Sequence, residues 1–170
     1  SGYAVLIVEH RLEQVLPFAH EVWQLRNGSL ERQTGRESLC AAQPETVNDI
    51  PTNTRREEPV MTLRGVGWRA GGRSILEGVD LTLFRGERLL LLGDNGCGKT
   101  SLLRLMARLA RPSAGEIRQL IDPALGQRRG SRAWFRRVGV VYQNPNCQLF
   151  MPTVAQEVAF AAKSEDFARE

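Results

Sequence analysis

The most distinctive chemistry in the sequence lies in a glycine-rich segment beyond its midpoint. The residues of this segment are Gly93, Asp94, Asn95, Gly96, Cys97, Gly98, Lys99, Thr100 and Ser101. Up to Thr100 they match the phosphate-loop pattern G-x-x-x-x-G-K-[ST], in which glycines let backbone N–H groups approach phosphate oxygens. The lysine of the pattern reaches the β and γ phosphates, and the hydroxyl binds the bridging Mg²⁺ ion. Lys99 and Thr100 are therefore candidate ligands of a nucleoside triphosphate and its magnesium.

Two regular elements are predicted to position this loop. Residues 89–92 are a continuous run of leucine between charge and glycine, which is typical of a parallel strand buried on both faces. After the loop, apolar residues at helical spacing predict a helix that Pro112 ends. These residues are Leu102, Leu105, Met106 and Leu109. Strand, loop and helix follow in the order that phosphate binding requires.

The composition predicts a folded globular chain. Of its 170 residues 42% are hydrophobic and 25% are charged, which excludes a disordered composition. No apolar run approaches the roughly 20 residues that span a bilayer, so we expect any membrane role to depend on a partner. Cys40, Cys97 and Cys147 have no paired spacing, which favours reduced thiols over zinc or disulfides.

The chain divides into three regions that differ in composition and hydrophobic pattern. In residues 1–35, apolar segments at 3–8 and 22–25 enclose a predicted short helix interrupted near Pro17, and Asn27-Gly28 predicts a tight hairpin turn. This region is too small for a core of its own. Residues 36–59 are polar and contain three prolines, as expected of a linker. Residues 60–170 are again dense in apolar residues, and residues 75–84 alternate like a strand with one buried face.

The phosphate loop resembles that of ABC transporter ATPases, with the extra middle glycine Gly96 and the doubled hydroxyl pair Thr100-Ser101. Residues 75–83 are similar to the antiparallel strands that precede the loop in that family. Residues 138–143, Val-Gly-Val-Val-Tyr-Gln, are similar to the strand that ends in its Q-loop. The resemblance implies an α/β P-loop NTPase fold with an antiparallel β subdomain, here incomplete. It also implies ATP and Mg²⁺ as ligands, with Gln143 contacting magnesium and the attacking water.

A longer string narrows the resemblance to the ATPase subunits of energy-coupling-factor and cobalt or nickel importers. It comprises residues 142–150, Tyr-Gln-Asn-Pro-Asn-Cys-Gln-Leu-Phe, together with residues 153–160. This resemblance implies an ATPase on the cytoplasmic face of the membrane, which couples ATP binding and hydrolysis to uptake of a vitamin or metal ion. The implied partners are a transmembrane coupling protein, a substrate-binding membrane subunit and a second ATPase domain.

Residues 6–28 resemble the end of an ABC ATPase domain, in which a strand leads to a histidine that touches the γ-phosphate. That histidine is His10 here, and it precedes the phosphate loop instead of following it. The whole sequence contains no Leu-Ser-Gly-Gly-Gln-like string and no apolar strand ending in Asp-Glu. We therefore expect residues 1–35 to end a first ATPase domain and residues 60–170 to begin a second. His10 would then serve the nucleotide of the first domain.

One departure from the family and two alternative functions remain. Ala70 occupies the position of the aromatic residue that usually stacks on adenine, and Trp68 is the candidate to replace it.

The arginines around Trp134 raise the alternative of a soluble ABC-type ATPase acting on nucleic acid or ribosomes. These arginines are Arg128, Arg129, Arg132, Arg136 and Arg137. No nucleic-acid motif accompanies them, so we expect no nucleic-acid partner. The other alternative is an inactive fragment.

Overall fold

The structure is a computed structural model, and it describes residues 3–9, 15–33, 58–120, 134, 138–142 and 148–164. The chain forms two compact units, residues 1–135 and residues 136–170, and each is described by itself. The strands are β1 (Val5–Val8), β2 (Glu21–Arg26), β3 (Ser29–Arg32), β4 (Pro59–Ala70), β5 (Arg73–Phe84), β6 (Arg88–Leu92) and β7 (Ala114–Gln119). The helices are α1 (Lys99–Met106) and α2 (Val154–Ser164), and a short 3-10 helix spans Leu16–Phe18.

Strand β6 lies inside a four-stranded sheet of order β1-β6-β2-β3. Both of its neighbours are parallel to it: Val8 of β1 pairs with Leu91, and Gln24 of β2 pairs with Leu92. All of its leucines are buried, as a strand covered on both faces requires. The predicted parallel strand before the phosphate loop is therefore confirmed. Because its partners come from residues 1–35, strands from both sides of the predicted linker share one sheet.

The first region gains its core from this shared sheet. Buried residues of the segment before β2 pack against the leucines of β6, which supplies the apolar surface that the region lacks alone. This cluster comprises Leu16, Ala19, Val22, Leu90 and Leu92, with Ile7 and Val15 at its margin. The short helix predicted near Pro17 is present as the 3-10 turn. The assignment of residues 1–35 to a first ATPase domain stays a prediction.

The hairpin predicted at Asn27-Gly28 is also confirmed. Strands β2 and β3 are antiparallel, and Arg26 pairs with Ser29 across the turn. Asn27 and Gly28 have φ of 48° and 81°, so both central residues are left-handed as in the turns that favour Asn-Gly. The turn docks on β5, where the Glu77 N–H donates to the Gly28 carbonyl oxygen at 2.9 Å.

A three-stranded antiparallel sheet of order β5-β4-β7 forms the predicted antiparallel subdomain. Its two long strands run 12 residues each and pair along most of their length. Val79, Leu81 and Leu83 of β5 alternate in the sequence and are buried, and Leu76, three residues before Val79, is buried as well. The α/β fold with an antiparallel β subdomain is therefore confirmed.

Helix α1 is shorter than the apolar spacing predicts. It ends at Met106, so Leu109 lies outside it, because Arg108 adopts a left-handed backbone with φ of 59°. The fully buried Trp134 lies at this end, and its indole Nε1–H donates to the Ala107 carbonyl oxygen at 2.9 Å. That carbonyl is one of those that the end of a helix leaves without an intrahelical partner. The Trp134 contact thus stabilises the early end of the helix.

In residues 136–170, the prediction of a strand at 138–143 is wrong for its described part. Residues 138–142 belong to no strand. The side-chain amide of Gln148 binds backbone groups of this segment. Its Oε1 accepts from the Tyr142 N–H at 3.1 Å, and its Nε2 donates to the Val140 carbonyl oxygen at 2.7 Å.

Across the described ranges of the chain, no helix has the length and apolar character needed to cross a bilayer.

Candidate nucleotide site

The phosphate loop connects the buried strand β6 directly to helix α1. Gly98 precedes the helix with φ of 111°, and no side chain caps the helix at this end. The N–H groups of the first turn therefore remain available at a point where the helix dipole favours negative charge. This is the backbone arrangement that binds phosphate at helix N-termini.

Two glycines allow the loop to pack tightly on its neighbours. At Gly93, with φ of 148°, a Cβ would lie 2.5 Å from the Leu25 carbonyl oxygen and 2.6 Å from the Cys97 Sγ. At Gly98 a Cβ would lie 3.1 Å from Ile75 Cγ2 and 3.0 Å from Leu76 Cδ2. The start of the loop therefore rests on β2, and its end rests on β5.

Lys99 lies at the first position of α1, and its side chain is directed back over the loop. Its Nζ donates to the carbonyl oxygens of Gly93 at 2.7 Å and Asp94 at 2.8 Å, and it lies 3.8 Å from the Cys97 Sγ. The residue is only 7% exposed. Its ammonium group is thus held above the loop by backbone acceptors, next to the N-terminus of the helix.

The remaining residues of the loop are exposed or half-buried. Asp94, Asn95, Gly96 and Thr100 are exposed, while Cys97 and Ser101 are half-buried. The Thr100 hydroxyl is therefore accessible to an ion bound beside the loop. Together with Lys99 and the helix N-terminus, these residues fit a nucleoside triphosphate with Mg²⁺. No cluster of His, Cys, Asp or Glu side chains that could hold a metal by itself occurs in the described part of the chain.

Two predicted site residues, His10 and Gln143, lie outside the described residues, and their roles stay predictions. Trp68, the candidate to stack on adenine, is half-buried and pairs with Leu76 across β4 and β5. Ala70 is also half-buried and pairs with Arg73. The proposed stacking role of Trp68 remains a hypothesis.

The aromatic residue at the centre of the predicted arginine cluster is not on the surface. Trp134 is fully buried, and the Arg108 guanidinium lies 4.4 Å from the centroid of its ring. Burial lowers the pKa of Arg108, because removing the guanidinium from water disfavours its charged form. The arginines of the cluster lie outside the described residues. The contact of these arginines with nucleic acid or ribosomes stays an alternative prediction.

The residues that support the loop from outside carry no distinctive signal in the sequence. Leu25, Ile75 and Leu76 contact the positions of Gly93 and Gly98, yet each occurs in an ordinary apolar strand segment. Only the Asn27-Gly28 turn signal points to the place where β2 and β3 approach β5.

Comparison with known proteins relates this site to one large family. The family described as ABC transporter matches residues 76–169. The chain is 44% identical over 106 residues to the nickel import ATP-binding protein NikO of Rhodobacter capsulatus, covering 60% of this chain and 42% of the relative. It is 36% identical over 118 residues to the energy-coupling factor transporter ATP-binding protein EcfA1 of Geobacillus kaustophilus, covering 66% and 40%.

Part of a solved structure has a similar fold. The cbiO1 protein of Clostridium perfringens, described as part of the ABC transporter complex cbiONQ, matches with a TM-score of 0.52 and 29% identity. The match covers 63% of this chain and 43% of cbiO1. The chain spans between 29 and 46% of the length of the curated relatives it matches.

Proposed function

Since the chain belongs to the ABC transporter family of ATPases, we propose that it forms the ATP-binding part of an importer ATPase. The observation that carries the proposal is the phosphate loop between β6 and α1, with Lys99 directed over it. Relatives with nickel-import and energy-coupling-factor descriptions support an importer over an ABC ATPase of another kind. The protein would couple ATP binding and hydrolysis to uptake across a membrane.

In this proposal each residue of the loop has a defined task. The N–H groups at the start of α1 would bind phosphate oxygens, and Lys99 would exchange its carbonyl acceptors for the β and γ phosphates. The Thr100 hydroxyl would hold Mg²⁺, which supplies charge neutralisation between the phosphates when it is bound. Gln143 would orient water near the magnesium.

We also propose that the chain spans the junction of two ATPase domains. Three relatives support this reading, because they align with 88 to 94% of the chain while the chain covers only about a third of their length. In a tandem protein, His10 would serve the nucleotide of the first domain. The glutamate that positions the attacking water and the signature sequence would lie elsewhere in the longer polypeptide.

The proposed partners are a transmembrane coupling protein and a membrane subunit that recognises the substrate, a vitamin or metal ion. Support comes from cbiO1, which is described as part of a multisubunit complex. Further support comes from exposed apolar residues on both sides of the start of α2. These residues are Leu149, Phe150, Val154 and Val158. The protein would then act at the cytoplasmic face of the membrane.

Equilibrium binding of a fluorescent ATP analogue to the purified chain, with and without Mg²⁺, tests the proposal directly. We expect binding that strengthens with Mg²⁺, because Thr100 would hold the ion and the ion would neutralise part of the phosphate charge. Lys99→Ala should abolish detectable binding. Lys163→Ala is the matched control, since Lys163 is the only other lysine in the sequence, and it should bind like the unchanged chain. Equal binding by the two variants would overturn the assignment of the site.

The importer role needs a separate experiment. The unchanged chain and a Phe150→Asp variant would be incubated in detergent with the membrane coupling protein of a nickel or cobalt importer and analysed by pull-down. We expect the unchanged chain to be retained and Phe150→Asp to be released, because a charge disfavours burial of the exposed apolar surface. Binding that depends instead on added RNA, and weakens with salt, would favour the nucleic-acid alternative.

A further inference from the structure

We infer that the Asn27-Gly28 turn positions the phosphate loop from outside it, acting through Ile75. This inference rests on the proposed ATP-binding function. Residues 1–35 are proposed above to end another ATPase domain, but in this chain their strands complete the sheet that holds the phosphate loop. The inference concerns that arrangement, in which residues of the first region act on a loop that lies far from them in the sequence.

The connection begins at Gly28. Its carbonyl oxygen accepts a hydrogen bond from the Glu77 N–H at 2.9 Å, which fixes the turn against β5. A Cβ at Gly28 would lie 3.1 Å from the Ile75 carbonyl oxygen and 3.4 Å from the Glu77 nitrogen. Both of these atoms belong to the backbone, so a side chain at Gly28 can be accommodated only if strand β5 moves.

The same residue of β5 contacts the end of the phosphate loop. A Cβ at Gly98 would lie 3.3 Å from the Ile75 carbonyl oxygen and 3.1 Å from Ile75 Cγ2. Ile75 is thus packed against Gly28 on the turn and against Gly98, the residue that precedes Lys99 in the chain. Because close-packed interiors transmit small displacements, pressure from the turn on Ile75 is passed on to Gly98.

The other end of the loop rests on the same hairpin. Gly93 packs against the carbonyl oxygen of Leu25, and Leu25 follows Gln24, which pairs with Leu92 in the parallel sheet. The β2–β3 hairpin therefore supports the start of the loop directly and its end through Ile75. Binding sites lose affinity when their supporting contacts shift by fractions of an ångström.

The turn between β4 and β5 supplies a matched control. Gly72 has φ of 77° and Gly28 has φ of 81°, so alanine at either position carries similar backbone strain. A Cβ at Gly72, however, would meet no atom within 4 Å, whereas a Cβ at Gly28 would meet the backbone of Ile75. A difference in ATP affinity between Gly28→Ala and Gly72→Ala therefore reports the contact with Ile75 and not the strain.

The test measures ATP affinity and unfolding by urea for the whole chain and its variants. We expect Gly28→Ala to bind ATP about tenfold more weakly than Gly72→Ala. Adding Ile75→Ala to Gly28→Ala should restore affinity, because it removes Cγ2 beside Gly98, even though it lowers stability further. A merely structural role would make affinity and stability fall together.

The outcomes separate the two proposals. If the unchanged chain fails to bind ATP, the proposed function is overturned and the inference with it. If the unchanged chain binds ATP and both alanine variants bind equally well, the inference alone is overturned. Should Gly28→Ala fail to fold, Gly28→Asn and Gly72→Asn give the same comparison, because asparagine tolerates the left-handed backbone.

Discussion

The carbonyl oxygen of Leu25 lies 2.5 Å from the position that a Cβ atom on Gly93 would occupy. This relationship joins the first residue of the phosphate loop to a strand of the first region. Because the obstructing atom belongs to the backbone of a buried strand, it cannot rotate away as a side chain would. The absence of a side chain at Gly93 is therefore a packing requirement in addition to its role in phosphate binding.

Alanine at Gly93 should destabilise the chain more than alanine at Gly96. Gly96 also has a left-handed backbone, with φ of 81°, but a Cβ there meets no atom within 4 Å. We expect Gly96→Ala to cost about 1 kcal/mol from strain alone, and Gly93→Ala to cost about 3 kcal/mol because β2 must move. Urea unfolding followed by circular dichroism measures both, and equal losses would contradict the close contact with Leu25.

Much of the loop and its flanking elements could be predicted, because their signals are local. The leucine run of β6, the glycine spacing and the Asn27-Gly28 turn each lie within a few residues of sequence. The pairing of β6 with β1 and β2 could not be predicted, because no local pattern specifies which distant strands become neighbours. The early end of α1 depends likewise on Trp134, which lies far along the chain from Ala107.

The lack of a strand at residues 138–142 has a similar cause. Their apolar pattern favours a strand, but a strand forms only where a neighbour supplies donors and acceptors. The amide of Gln148 supplies both to Val140 and Tyr142. A side-chain interaction of this kind leaves no trace in hydrophobic periodicity.

Two substitutions of Trp134 should lower the free energy of unfolding of residues 1–135 by different amounts. Trp134→Phe keeps an aromatic ring for Arg108 but removes the Nε1–H that binds the Ala107 carbonyl, which we expect to cost about 1 to 2 kcal/mol. Trp134→Ala also opens a cavity in a fully buried position and should cost about 3 to 5 kcal/mol. Unfolding curves of the two variants measure the difference.

Trp68→Phe is the control for these substitutions, because Trp68 is only half-buried. It should cost less than Trp134→Phe. A smaller loss for Trp134→Ala than for Trp68→Phe would show that Trp134 is not part of the core.

The carboxylate of Glu157 should be required to order the residues before α2. Its Oε2 accepts from the N–H groups of Phe150 at 3.0 Å and Met151 at 2.7 Å. We expect Glu157→Ala to raise the rate of amide hydrogen exchange at both residues by about tenfold, because each N–H loses a charge-assisted hydrogen bond. Such a bond contributes about 1.5 to 3 kcal/mol when buried, and its contribution is smaller here because the site is exposed to solvent.

Hydrogen exchange followed by NMR measures this effect residue by residue. Gln156→Ala is a suitable control, since only its backbone N–H contacts the Thr153 Oγ1, at 3.3 Å, and the substitution leaves that group in place. Unchanged exchange at Phe150 and Met151 in Glu157→Ala would contradict the contact.

These 170 residues alone should hydrolyse ATP at a negligible rate. Phosphoryl transfer to water needs a positioned nucleophile and stabilisation of developing charge, and the sequence contains neither the signature string nor the acidic pair that supply them in this family. Phosphate release in the presence of Mg²⁺ and ATP measures the rate. A magnesium-dependent rate that Lys99→Ala abolishes would contradict this expectation.

The order of strands in the parallel sheet has a consequence for how the chain folds. Strand β6 begins at Arg88, which binds His20 from a position 68 residues further along the chain, so both of its neighbours are synthesised long before it. Pairings of such separation form slowly, whereas β4 and β5 are joined by a short turn and pair early. When these 170 residues fold by themselves, the apolar faces of β1 and β2 stay uncovered until β6 is available. In that interval we expect them to depend on chaperones.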